Sequence, residues 1–408
     1  MIKKLLLLFF LIVPNVQAQD TSRGDILNSE FVTTHTIEQI DAANAEFYPV
    51  EQRLPALFAA DEYRVTLRST DETEQSLEIV AQVFVPRPAA LTEFPVLVVG
   101  AGTSGLADPC APSLEQPEVQ DLGHYRDFLL SIASQGYVVL MPDYAGFNDP
   151  DRLQAYYVAE MAARALLDTG RAAYRLFAPG ADWLPADTTA APLPKLFFGG
   201  YSQGGQAVFA VRDRWATAAP DVPVAGFITW APVTNMASHT LHMPPFAPYR
   251  MVAWADYYGE EQVPLKRIFV DRWLPTLKSD AARFCVMEAL TYYSAEPEAL
   301  FRPPFLDALR GGTLDQSFPE LARLLDLNSP GFVPDSLPAL VIQGTKDARI
   351  PMATLDDFVS RVCAVGNPLT VQVYEGATHA ATRRVSYRDT LAWMQAVVEG
   401  ERARNDCP

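Results

Sequence analysis

Residues 195–215 read KLFFGGYSQGGQAVFAVRDRW. A continuous apolar run, Leu196 to Phe198, runs into a glycine-rich turn, and apolar residues at helical spacing follow from Ala207. The turn contains Gly200-Tyr201-Ser202-Gln203-Gly204, a G-x-S-x-G match. Between a buried strand and a helix, this pattern predicts a nucleophile elbow. The serine occupies a strained turn, so its neighbours must be small, and Gly200 and Gly204 meet that need. The turn also puts Ser202 at a helix N-terminus, where backbone N–H groups favour developing negative charge.

The flanking sequence repeats the same strand-and-helix rhythm. Short apolar strands are expected at 94–100, 137–143, 195–200, 224–231, 338–344 and 369–376, with helices near 123–135, 151–177 and 203–216. Continuous Val/Ile/Leu/Phe runs suit strands covered on both faces, and their alternation with helices predicts a doubly wound, mostly parallel sheet. Two earlier strands, 63–68 and 77–85, form a hairpin or meander after a short helix at 36–47. Residues 236–335 break the rhythm, being rich in Pro and aromatics without clear strands. The expected organisation is a leader over 1–18, a first core segment over 19–235, a helical cap or lid insertion over 236–335, and a second core segment over 336–408. With the elbow, this amounts to an α/β-hydrolase fold.

A serine hydroxyl needs a base. The chain has five histidines, and only His379, in VYEGATHAAT, follows the last strand. The base needs an acid to fix its tautomer. Asp347, in VIQGTKDARIP, lies at the end of the preceding strand, whereas Asp356 and Asp357 fall in a later helix. The order Ser202, Asp347, His379 is that of α/β-hydrolases. Two oxyanion donors are expected: the N–H of Gln203, and that of Thr103 in the loop GAGTSGLADPCAPS, with Ser104 the alternative. No metal-ligand cluster is visible in the sequence, and this chemistry needs neither metal nor organic cofactor.

The ends of the chain point to export. Lys3 and Lys4 precede nine apolar residues, Leu5 to Val13, and Val16-Gln17-Ala18 offers a small-residue cleavage site. This is the pattern of a cleavable signal peptide, so a secreted or periplasmic protein is expected. No later segment reads as an integral membrane span. The 408 residues carry 32 Lys plus Arg against 49 Asp plus Glu, a net charge of −17, which disfavours nucleic acid as a partner. A small-molecule or lipid ester, with at most transient contact to a lipid interface, suits that balance better. Four cysteines, Cys110, Cys285, Cys363 and Cys407, favour two disulfides in an exported chain, and three pairings are open.

The loop AGTSGLADPCAPS, PDYAGF after the fourth strand, the GYSQGG elbow and the GTKD…ATH ending together resemble the secretory lipases of the α/β-hydrolase superfamily, bacterial secretory-lipase-like proteins and the related fungal type-A lipase. Ala101-Gly102 stands where that family usually has His-Gly. The resemblance implies a helical cap after the sixth strand, an acyl-enzyme mechanism on ester substrates, and the pairings Cys110–Cys285 and Cys363–Cys407. Within the cap, HMPPFAPYRMVAWADYYG (242–259) offers an apolar acyl pocket, with Trp254, Tyr257 and Tyr258, and Tyr201 beside the serine, as candidate lining residues. A serine peptidase or a polysaccharide-acyl esterase shares the same catalytic set, and Glu260-Glu261 could hold a peptide ammonium. A non-catalytic binding protein on the same fold is the alternative outside enzymes.

Overall fold

The computed structural model of the protein describes residues 22–116 and 122–407. The expected leader, 1–18, lies outside the described residues. The strands are β1 (Ile26–His35), β2 (Ala60–Thr70), β3 (Ser76–Pro86), β4 (Thr92–Gly100), β5 (Val138–Pro142), β6 (Ala145–Asn148), β7 (Ala190–Tyr201), β8 (Val224–Trp230), β9 (Ala339–Gly344) and β10 (Leu369–Tyr374). All but β6 form one sheet in the order β1-β2-β3-β5-β4-β7-β8-β9-β10. From β5 through β10 every neighbouring pair is parallel, while β1, β2 and β3 join antiparallel.

The apolar runs become the interior. All five residues of β5 and all six of β9 are buried, as sheet strands covered by helices on both faces must be. One covering helix, Ala159–Arg175, buries Met161, Leu166 and Leu167; another, Gln203–Arg212, is buried along its whole length. Strand β1 was not expected from sequence. Its run ILNSEFVTTH is mostly exposed on the sheet edge and shows no apolar alternation, so its backbone ladder to β2 supplies the order that side-chain burial does not.

Between β8 and β9 the chain is helical, from Met236–His242 to Pro319–Leu327, with no strand among the elements of this stretch. This insertion packs its own aromatic interior: Phe301, Phe305 and Phe318 stack edge to face in succession. Two disulfides tie the chain together. Cys110–Cys285 joins the loop after β4 to the insertion, and Cys363–Cys407 pins the C-terminal tail to the helix Met352–Ala364.

The parallel strands deliver their carboxyl ends to one edge of the sheet. Thr103 follows β4, Ser202 follows β7, Asp347 follows β9 and His379 follows β10. Open α/β sheets bind ligands in the crevice at this edge.

Candidate active site

Ser202 is the hinge between β7 and its helix, with φ 55° and ψ −108°, a backbone conformation an L-residue rarely adopts. The turn is held from several sides. Ser202 N–H donates to Trp230 O at 2.9 Å, and Ser202 O accepts from Gly205 N at 3.0 Å and Val233 N at 3.2 Å. The glycines are steric requirements. A Cβ on Gly204 would lie 1.9 Å from Gly100 O, one on Gly200 would lie 2.1 Å from Gly204 O, and one on Gly205 would lie 2.5 Å from Pro232 Cβ. β4, the elbow and the end of β8 therefore meet where no side chain fits.

The His379 ring donates from Nδ1 to Asp347 Oδ2 at 2.7 Å, and both residues are buried. Asp347 is fully engaged otherwise. Its Oδ1 accepts from the N–H groups of Arg349 and Ile350, each at 2.9 Å, and its Oδ2 accepts from Gln343 Nε2 at 3.0 Å. Burial alone would raise this carboxyl, but the His379 ring and the two N–H groups outweigh it and hold its pKa below the usual value. Burial lowers the His379 pKa. Asp347 opposes that, and the nearby charges of Arg349 and Arg383 add to the lowering. The ring is thus favoured in its neutral form, with Nδ1 engaged by Asp347.

Ser202 and His379 line one pocket of about 280 Å³, together with Thr103 and Tyr201. Among the described residues no hydrogen bond joins Ser202 Oγ to His379, a looseness common before substrate binds. Neither the Thr103 N–H nor the Gln203 N–H donates to another group of the described chain, whereas the Gly102 N–H is taken by Tyr125 Oη at 2.6 Å. Tyr144 Oη donates to Ala101 O at 2.7 Å, and Thr103 Oγ1 and Tyr156 Oη are 2.6 Å apart. Tyrosines therefore brace the loop at Ala101, Gly102 and Thr103. These braces were not read from sequence, because Tyr125, Tyr144 and Tyr156 sit on separate segments with no spacing signal. Tyr157 was missed too. It is fully buried at φ 57°, and its hydroxyl lies beside those of Thr103, Tyr156 and Ser202 without good hydrogen-bond geometry to any.

The expected acyl pocket is corrected in part. Tyr201 lines the pocket, its ring 5.0 Å from that of His379. Trp254, Tyr257 and Tyr258 do not. Trp254 is fully buried with Nε1 donating to Tyr156 O, Tyr258 Oη meets Asn328, and Tyr257 lines a separate cavity with Asp71 and Asp256. Helix Ala247–Tyr258 turns these rings towards the core, so their crowding in sequence marks packing. From the insertion, Phe246, Val286, Met287 and Leu290 reach the pocket instead. Glu260 is on the surface, paired with Lys278 at 2.5 Å, and is no ammonium site at the serine. Among the described residues no group of three His, Cys, Asp or Glu is placed to hold a metal, and no helix is long and apolar enough to cross a membrane.

The family described as Secretory lipase matches residues 124–406. No curated protein sequence matches the chain. Solved structures share its fold, among them the following three. The rice cell wall degrading esterase LipA from Xanthomonas oryzae superposes with a TM-score of 0.71 at 18% identity, covering 93% of this chain and 97% of that one. A putative hydrolase from Legionella pneumophila gives 0.74 at 18%, covering 93% and 100%. Candida antarctica lipase A in its closed state gives 0.65 at 19%, covering 94% and 84%. The architecture is accordingly the α/β-hydrolase fold.

Proposed function

The chain belongs to the secretory lipase family, hydrolases of lipase and esterase type, and from that premise we propose that it is an exported serine carboxylic ester hydrolase. The observation that carries this reading is the buried His379–Asp347 hydrogen bond of 2.7 Å in the pocket of the strained Ser202. Ser202 Oγ attacks the ester carbonyl carbon while His379 Nε2 takes its proton. Asp347 fixes the proton on Nδ1 and stabilises the imidazolium. The N–H groups of Gln203 and Thr103 receive the oxyanion, both being free for that purpose. His379 then returns the proton to the leaving alcohol, and water releases the acyl group by the reverse sequence.

The apolar side of the pocket, formed by Leu122, Phe246, Val286 and Met287, suits an acyl chain. The volume, about 280 Å³, lies just below the roughly 300–1,000 Å³ usual for ligand sites, which favours short acyl groups. The leader at 1–18 and the two disulfides support export to an oxidising compartment. The test is hydrolysis of p-nitrophenyl esters from acetyl to palmitoyl by the wild type and Ser202→Ala. The expected result is activity greatest at short chains and lost by several orders of magnitude in the variant. Near wild-type turnover without the serine hydroxyl would sink the assignment.

A further inference from the structure

A chain with a net charge of −17 would be expected to surround its active site with acid. The described lining of the Ser202 pocket holds no Asp or Glu at all, but it holds Arg349, Arg383 and Arg384. Among the described residues none of the three guanidinium groups is paired with a carboxylate. Arg383 is 4% exposed; its Nη2 donates to Gly123 O, while Nε and Nη1 have no hydrogen-bond partner. Its guanidinium lies over the rings of Tyr201 at 4.4 Å, Tyr125 at 4.9 Å and Phe128 at 5.2 Å. An aromatic cage thus holds a permanent positive charge in the wall. Arg384, half-buried, stands over Phe47, and Arg349, half-buried, follows the acid loop.

Among the described residues, the acids near this wall spend their hydrogen bonds elsewhere, although the charges of Glu115 and Arg383 act on one another. Asp347 is spent on His379 and its own loop. Glu115, buried behind the pocket, accepts from the N–H groups of Leu122, Tyr125 and Arg126. The positive charges of Arg349 and Arg383 are also felt by His379. Retaining unpaired cations in a partly desolvated pocket is costly unless an anion completes them. The apolar side and the cationic side converge on the same serine.

We propose that the pocket selects esters that carry a carboxylate on the acyl or the alcohol part, with Arg349 and Arg384 pairing with that carboxylate as the ester carbonyl meets Ser202. This specificity rests on the serine ester hydrolase reading above. Arg383, caged and buried, supplies a fixed field rather than a movable ligand.

Two substrate pairs separate the possible positions of the charge. Phenyl hydrogen adipate against phenyl hexanoate places it on the acyl side; 4-acetoxybenzoate against methyl 4-acetoxybenzoate places it on the alcohol side. The expected result is a kcat/KM higher for the anionic member of at least one pair by about 10-fold, the scale of a partly desolvated charge pair. That ratio should fall by about 5-fold or more in Arg349→Gln and in Arg384→Gln, and should shrink as NaCl rises from about 0.02 M to about 0.5 M. Because the readout is a ratio, a general loss of turnover in a variant does not imitate it. Ser202-dependent cleavage of the neutral esters without any anionic preference, or a preference that neither substitution changes, overturns the carboxylate pocket and leaves the esterase reading intact. No Ser202-dependent cleavage of any of the four esters overturns both.

Discussion

Substituting Ser202, the proposed nucleophile, by two small residues separates its proposed chemical role from what it costs the fold. Ser202 sits at φ 55° and ψ −108°, well away even from the left-handed helical well. A non-glycine residue held in such a region costs about 1–3 kcal/mol. Its side chain makes no capping hydrogen bond to the helix it precedes, so losing the hydroxyl removes no cap. The Ser202→Ala variant would keep the strain, because the alanine Cβ meets the same backbone atoms. The Ser202→Gly variant would relieve it and give back roughly 0.5–1 kcal/mol through the greater freedom of the unfolded chain. The difference leaves Ser202→Gly more stable than Ser202→Ala by about 1 kcal/mol, the reverse of the usual order of Gly and Ala. Unfolding entropy of about 2 cal/mol/K per residue gives a chain of 408 residues ~0.8 kcal/mol/K, so the glycine variant should melt about 1 °C higher. Differential scanning calorimetry of the two variants at matched scan rate, with disulfides oxidised, reads this directly. Both should be inactive. An alanine variant as stable as the glycine variant, or more so, would refute the claim that the elbow stores strain.

Further outcomes follow from the same geometry. Asp347→Asn should lower kcat by about 10³–10⁴-fold, because it loses control of the His379 tautomer. Asp356→Asn, exposed on the helix Met352–Ala364, should change kcat by less than about 2-fold, within the small effect of a surface substitution; the opposite ranking in steady-state kinetics would reassign the acid. The acid limb of kcat/KM reports the free enzyme's base, which must be neutral to act. Since the His379 pKa is lowered, that limb should fall below the ordinary histidine value of about 6.5. Arg349→Gln removes a charge that helps to lower it, so a pH–rate profile of that variant should show the limb moved upward. Replacing Cys110 and Cys285 by Ser opens a link across 175 residues, worth about 5 kcal/mol by chain entropy. It should lower kcat/KM as well as the melting temperature, because Val286 and Met287 line the pocket immediately after Cys285. Replacing Cys363 and Cys407, remote from the pocket lining, should cost stability alone.

The parts of the molecule that are legible from sequence are those whose physics is local. The buried parallel strands announce themselves as apolar runs, and the elbow as a glycine pattern that sterics leaves no freedom to vary: Gly204 faces Gly100 O across 1.9 Å at an added Cβ. His379 and Asp347 could be singled out because a parallel sheet brings every strand's carboxyl end to one edge. What was not legible is set by contacts between distant segments. Strand β1 lacks apolar alternation because it pairs on one side only and is largely open to solvent, even at Leu27, Phe31 and Val32. The aromatics of 242–259 had the composition of a pocket wall, but the helix phase decides which of them face it, and only Phe246 does. The loop after β4 is braced by Tyr125, Tyr144 and Tyr156, drawn from three other segments. The cationic wall is built from Arg349 near Asp347 and Arg383 and Arg384 near His379. Each stretch is ordinary when read alone, and a chain-wide charge of −17 conceals both. They come together only when β9 and β10 set the Asp347 and His379 loops side by side. The proposed chemistry of this site is therefore written in short motifs, while its proposed selectivity is written in the sheet order that makes distant loops neighbours.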